Sequence, residues 1–152
     1  MDHRETSVED VVFEYTGKGQ TVPEDVTHVR IQSGVTKIED YAFYGRGSLK
    51  EVVLQCITLP STLVEIGVEA FKRCSSLKEV VFNERLKKIG RAAFMGCSSL
   101  QSCLLLECII LPSSVVEIED NAFSDCTKLK RVVLNKGLQK IGDEAFRRCS
   151  TL

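Results

Sequence analysis

One stretch decides the fold: Ile66-Gly67-Val68-Glu69-Ala70-Phe71-Lys72-Arg73-Cys74-Ser75-Ser76-Leu77, a pattern that the 152-residue chain repeats five times. In every copy an isoleucine is followed at fixed distances by an alanine, a phenylalanine and a leucine. The isoleucines are Ile38, Ile66, Ile89, Ile118 and Ile141. The phenylalanines are Phe43, Phe71, Phe94, Phe123 and Phe146. One such unit cannot bury its own apolar face, so the repetition predicts a stacked array in which neighbouring units cover one another.

The leucine that closes each copy is predicted to begin a strand. Apolar residues occupy positions 1, 4 and 6 of a segment that starts at Val26 and again at Leu49, Leu77, Leu100 and Leu129. Positions 4 and 6 share one face by strand alternation, and position 1 is predicted to enter the core at the bend. Positions 2, 3 and 5 are therefore predicted to lie on the outside. In the last four strands these outer positions are candidate partner-binding residues: Lys50, Glu51, Val53, Lys78, Glu79, Val81, Gln101, Ser102, Leu104, Lys130, Arg131 and Val133.

Position 5 of these strands is apolar throughout, which gives a predicted row of Val53, Val81, Leu104 and Val133. Branched residues are favoured in any strand, so ordinary strand preference explains the row. A binding stripe flanked by charged residues explains it as well, because repeat arrays use such faces to recognise partners. The sequence leaves both interpretations open.

The distance from the start of a strand to the next isoleucine alternates between short and long units. It is 12 residues in three units, 17 from Leu49 to Ile66, and 18 from Leu100 to Ile118. The related segments 56–61 and 108–113 are interpreted as insertions that emerge on one face of the array.

Between the isoleucine and the leucine, each copy is predicted to form a turn and one helical turn. Its phenylalanine would be buried and would stack on the phenylalanine of the next copy. The acid pairs Glu39-Asp40 and Glu119-Asp120 recur at one repeat position. A favourable interaction with a helix N-terminus explains these pairs without catalysis.

The ends of the chain differ from its middle. Residues 1–25 are predicted to form an N-terminal arm with a capping strand at 11–15, and residues 26–152 the repeat array. The last repeat is incomplete, because Leu152 corresponds to the first position of a sixth strand. An open C-terminal edge is therefore expected, and with it self-association of the chain.

The chain has seven cysteines, and four of them share one repeat position: Cys74, Cys97, Cys126 and Cys149. Arg46 takes this position in the first copy. One small apolar residue per unit predicts a column of buried, reduced thiols rather than disulfides. Cys56 and Cys108 correspond to each other two units apart, roughly 10 Å, which is too far for a disulfide.

The net charge of −1 argues against general attraction to nucleic acid or to anionic membranes. The charge is uneven, since residues 1–30 carry a net −4 and residues 128–148 a net +5. No apolar run is long enough to span a bilayer, and residues 1–6 are polar. A cytoplasmic protein is expected on this basis, and a cell-surface one if the chain is a fragment.

The motif at 66–77 and 89–100 resembles that of the BspA-like leucine-rich repeat family, and the likeness extends over about residues 26–152. The resemblance implies a right-handed solenoid with a parallel β-sheet on one face and short helical or irregular segments elsewhere. Many members are surface proteins that adhere or bind partners, and others are intracellular. The family shares a fold and no active site, so the resemblance assigns no catalytic residue.

The sequence offers little for chemistry. It has two histidines, His3 and His28, and neither stands beside a repeated cysteine. No metal, cofactor or catalytic site is predicted. The favoured hypothesis is a non-enzymatic module that binds a protein partner through its sheet face. The alternatives are a structural segment of a longer scaffold or cell-surface adhesin array, and a repeat domain attached to an enzyme.

Overall fold

Short parallel strands, rather than helices, build the array. The computed structural model describes residues 12–49, 56–58, 61–100, 109–150 and 152. Its strands are, in order, β1 (Val12–Tyr15), β2 (His28–Ile31), β3 (Lys37–Ile38), β4 (Cys56–Thr58), β5 (Glu65–Ile66), β6 (Glu79–Val81), β7 (Lys88–Ile89), β8 (Ile109–Ile110), β9 (Glu117–Ile118), β10 (Val132–Val133) and β11 (Lys140–Ile141). No helix is assigned in the described ranges.

The repeated isoleucines lie in a five-stranded parallel sheet with the order β11-β9-β7-β5-β3. Each isoleucine is in register with the next, for example Ile66 with Ile89 and Ile89 with Ile118. The side chains of Ile38 to Ile118 in this column are fully buried. The constant spacing in the sequence therefore reflects one column of side chains through the core.

A second set of strands pairs as β1 with β2, β4 with β6, and β8 with β10. Here the predicted register was wrong for the long units. Ile57 lies opposite Val80, and Ile109 lies opposite Val132. The segments interpreted as insertions thus contribute the strands β4 and β8. The extra residues of the long units precede these strands in the chain and lie outside the described residues.

The predicted helical turn is also replaced by a different arrangement. Backbone N–H groups alternate in direction: Phe94 donates to the carbonyl of Ala122 in the next unit at 2.8 Å, whereas Ala93 donates back to Gly90 at 3.1 Å. A positive φ recurs three residues after each isoleucine, at Tyr41, Glu69, Ala92, Asn121 and Glu144. These left-handed residues interrupt a helix and turn every second N–H toward the neighbouring unit.

The acid pairs serve this turn rather than a helix terminus. Asp40 Oδ1 accepts a hydrogen bond from the N–H of Val68 at 2.9 Å. Glu119 Oε2 accepts one from the N–H of Arg91 at 2.8 Å. Each carboxylate therefore satisfies a backbone donor of an adjacent unit.

The predicted phenylalanine stack is confirmed. Consecutive rings from Phe43 to Phe146 lie 5.0–5.4 Å apart, with interplanar angles of 1–8°. At the N-terminal end Tyr15 takes the place of a sixth phenylalanine, with its ring 5.1 Å from that of Phe43. Its hydroxyl accepts a hydrogen bond from the N–H of Glu39 at 3.1 Å. The N-terminal strand thus continues the core of the array.

The cysteine column is buried and its thiols are free. Each thiol donates to the phenylalanine carbonyl of the preceding unit, as Cys97 Sγ does to Phe71 at 3.1 Å. Arg46 replaces cysteine in the first unit and donates to the carbonyl of Val22 at 2.7 Å and 3.2 Å. The longer side chain reaches the N-terminal segment, which supplies the acceptor where no preceding phenylalanine exists. The predicted spacing of Cys56 and Cys108 falls outside the described residues.

The last described unit is less covered than those before it. Ile141 is 46% exposed, whereas its counterpart Ile118 is fully buried. Leu134 and Leu152 are exposed in the same way. Exposed apolar surface of this kind favours association, and self-association of the chain stays a prediction.

Candidate interaction surface

Only part of the predicted binding surface lies within the described residues. Lys78 precedes β6, which contains Glu79 and Val81, and Lys130 and Arg131 precede Val133 of β10. The remaining candidates lie outside the described residues: Lys50, Glu51, Val53, Gln101, Ser102 and Leu104.

The strands alternate between buried and exposed apolar side chains. Val80 is 8% exposed and Ile109 is 4% exposed, so both contribute to the core. The residues that follow them point outward, with Val81 40% exposed and Ile110 51% exposed. Val133 lies opposite Ile110 and is half-buried. We call Val81, Ile110 and Val133 the outer row, because each stands eight residues before an anchoring isoleucine.

The composition of this row corrects the sequence prediction. Thr58 lies opposite Val81, and Ile110 lies opposite Val133, in the positions that were predicted for Val53 and Leu104. Ile110 is therefore a candidate that the sequence reasoning missed. Counting back from the isoleucine, rather than forward from the leucine, would have found it.

The charges beside the outer row differ between units. At β1 and β2 an ion pair joins Arg30 to Glu14 at 2.9 Å. After β6 the turn carries exposed Glu84 and Arg85, whose charges offset each other. At β10, Arg131 and Lys136 are both exposed and stand on either side of the strand. The surface around the outer row is thus more basic at β10 than at the earlier strands.

A separate charged ladder runs along the five-stranded sheet. The residue before each isoleucine alternates in sign: Lys37, Glu65, Lys88, Glu117 and Lys140. Lys37 pairs with Glu65 at 3.2 Å, and Lys140 pairs with Glu117 at 2.8 Å. The hydrogen bond from Lys140 lowers the pKa of Glu117, and the same bond raises the pKa of Lys140. Exposed pairs of this kind contribute little stability each. Three lysines and two glutamates leave the ladder with a net charge of +1.

An open groove of about 260 Å³ borders this ladder and is lined by Val68, Arg91, Glu119, Asp120 and Lys140. Its acidic groups already have partners. Glu119 pairs with Lys88 at 2.7 Å, and Asp120 Oδ1 accepts from the N–H of Asp143 at 2.8 Å. The groove therefore presents satisfied side chains rather than a set poised for proton transfer.

The buried thiols are poor nucleophiles. Burial raises the pKa of the Cys74 thiol to about 12 and raises that of Cys97 well above its ordinary value. A thiol with so high a pKa carries almost no reactive thiolate at neutral pH. Among the described residues, no three His, Cys, Asp or Glu side chains converge as a metal site would require. The part of the chain with known placement also forms no helix with the length and apolar character needed to cross a membrane.

The parallel strands, the buried isoleucine column and the stacked phenylalanines define a leucine-rich repeat solenoid. A family model described as the BspA type leucine rich repeat region matches six copies within residues 53–152, and the chain belongs to this family. A search of curated proteins found no match.

Solved structures share the fold. A leucine rich cell surface protein from Faecalibacterium prausnitzii is 29% identical, with a TM-score of 0.73 over 87% of this chain and 32% of that one. A leucine-rich repeat protein from Bacteroides ovatus is 28% identical, with a TM-score of 0.57 over 95% and 39%. One from Eubacterium ventriosum is 25% identical, with a TM-score of 0.63 over 81% and 37%. The chain thus spans between 32% and 39% of the length of these proteins.

Proposed function

We propose that the chain is a non-enzymatic protein–protein interaction module that binds its partner through the outer row and the residues around it. The observation that carries the proposal is the exposure of Val81 and Ile110 at strand positions that the core does not use. Burying such side chains against a partner contributes roughly 25 cal/mol per Å² of apolar surface. The raised thiol pKa values and the engaged groups of the charged groove give no comparable support to catalysis.

A second candidate is a structural segment of a longer scaffold or cell-surface adhesin array. Two observations favour it: the matched solved proteins are much longer than this chain, and one of them is named as a cell surface protein. A cell-surface location belongs to this candidate. It predicts that the outer row contributes no binding energy, because spacing and display need no occupied face.

Affinity capture with the full chain, followed by mass spectrometry, separates the two. We expect Val81→Asp with Ile110→Asp to lose the partners that the unaltered chain retains. Val12→Asp with Tyr41→Asp is the matched control, because it also replaces two exposed apolar side chains by aspartate, outside the outer row. Tyr41 has a φ of 61°, a conformation that aspartate tolerates well. Equal capture by both folded double variants would argue for the scaffold role.

A further inference from the structure

We propose that the partner of this surface is an acidic polypeptide segment whose carboxylates flank aliphatic side chains, and that it docks over β8 and β10. This inference rests on the proposed function and specifies the chemistry of its partner. The part of the surface that carries it consists of Ile110, Val133, Arg131 and Lys136, which we call the β10 patch.

The first argument is the pairing of apolar side chains within the β10 patch. Ile110 and Val133 lie opposite each other on neighbouring strands, about 4.8 Å apart in the sheet. Ile110 is 51% exposed, although it follows the buried Ile109 directly. Two adjacent aliphatic side chains suit aliphatic side chains of a partner, whereas single strands of nucleic acid are usually held on aromatic side chains.

The second argument is the charge around the aliphatic pair. Residues 126–142 contain five lysines and arginines and no aspartate or glutamate. Two other basic side chains at this end of the array have carboxylate partners: Lys140 pairs with Glu117, and Arg148 pairs with Asp125. Among the described residues, Arg131 and Lys136 form no ion pair.

The third argument is the position of these two charges. Arg131 stands two residues before Val133, on the same side of the strand path, and Lys136 stands three residues after it. The aliphatic pair is therefore bordered by positive charge along the strand direction. Complementary charge of this kind accelerates encounter and selects the partner, with a strong dependence on salt.

Fluorescence anisotropy with labelled synthetic octapeptides tests the inference on the full chain. The probes are alternating Asp-Leu, alternating Lys-Leu and alternating Asp-Ser peptides. We expect the Asp-Leu peptide to bind best, and its affinity to fall when salt rises from about 50 mM to about 500 mM. Arg131→Glu with Lys136→Glu should weaken that binding by roughly tenfold or more. Lys18→Glu with Lys87→Glu is the charge-matched control, because both lysines are exposed and lie outside the β10 patch.

Ile110→Thr, which removes apolar surface without adding a charge, separates this inference from the proposed function. Loss of binding in the Ile110 variant, and also in the double variant of Arg131 and Lys136, supports the acidic partner. If only the Ile110 change matters and the Lys-Leu peptide binds equally well, the acidic partner is wrong and the apolar binding face stands. If neither change matters, or if the Asp-Leu peptide does not bind, the acidic partner is wrong, and the capture experiment with the Val81 and Ile110 variants decides separately on the apolar binding face. Equal or better binding of the Asp-Ser peptide would overturn the need for aliphatic side chains in the partner. Equal or better binding of a single-stranded oligonucleotide or of anionic vesicles would overturn a polypeptide partner.

Discussion

Replacing Phe94 by alanine tests how the array is held together. The Phe94 side chain is fully buried, and its ring lies 5.2 Å from that of Phe71 and 5.3 Å from that of Phe123. The Phe82 ring meets it edge-on at 6.0 Å. Removing a buried phenylalanine costs about 3–5 kcal/mol in free energy of unfolding. We expect the upper part of this range, because each lost aromatic pair adds about 0.5–1.5 kcal/mol.

The matched variant is Phe146→Ala at the end of the stack. Phe146 is half-buried, and among the described rings it stacks on that of Phe123 alone, at 5.4 Å. In a repeat array the stability is a sum of unit and neighbour terms, so a terminal change breaks one interface and a central change breaks two. We therefore expect Phe146→Ala to cost about 2 kcal/mol, roughly half the loss at Phe94.

Urea unfolding at 25 °C, followed by far-UV circular dichroism, measures both losses, and the slope against urea shows whether the array still unfolds as one unit. Phe94→Leu keeps most of the side-chain volume but loses the aromatic contacts, so it should cost about 1.5 kcal/mol or more and still less than Phe94→Ala. The reasoning is refuted if Phe94→Ala costs less than about 1 kcal/mol, or if the two alanine variants lose equal stability.

Further predictions concern the contacts between units. Gly90→Ala should lower the free energy of unfolding by about 2 kcal/mol or more, because a Cβ there would lie 2.7 Å from the carbonyl of Ile66; a smaller loss in the urea melt would contradict the close contact. Arg46→Met should cost about 1–3 kcal/mol and speed hydrogen exchange in 12–15, since it removes both bonds to the carbonyl of Val22; unchanged exchange would mean that β1 is held by other contacts. Burial raises the pKa of the Cys74 thiol from 9.0 to about 12, so its contribution to the free energy of unfolding is fully present below about pH 9 and is lost as the pH rises to about 12. The loss of stability between pH 9 and 12 should therefore be smaller in Cys74→Ala, and equal losses in the two proteins would refute this prediction.

Much of the core could be predicted from the sequence because it is built from columns. Isoleucine, phenylalanine and cysteine each recur at one repeat position, and each forms a continuous column that is buried up to Ile118, Phe123 and Cys149. The turn could not be predicted in this way. Alanine followed by phenylalanine favours a helix locally, yet the N–H of Phe94 is used by the neighbouring unit. The hydrogen bonds between neighbouring units, which form only when the units stack, therefore override the local helix propensity.

The outer row was misplaced because the long units contain two segments that satisfy the same apolar pattern. Val52 and Leu54 fit it when counted forward from Leu49, and Ile57 and Leu59 fit it when counted back from Ile66. Strand pairing decides between them, since Ile57 lies opposite Val80. The backward distance is nine residues in all five units: Val29 to Ile38, Ile57 to Ile66, Val80 to Ile89, Ile109 to Ile118, and Val132 to Ile141.

This constant distance has a physical reason. The strand and the isoleucine that follows it both hydrogen-bond to neighbouring units, so the chain between them must bridge two fixed ladders. In the long units the five or six extra residues stand between the leucine and the strand, where lengthening a connection has a small entropic cost. In an array of this kind the register is therefore set by the segment between two ladders, and the outward-facing residues should be counted from its isoleucine end.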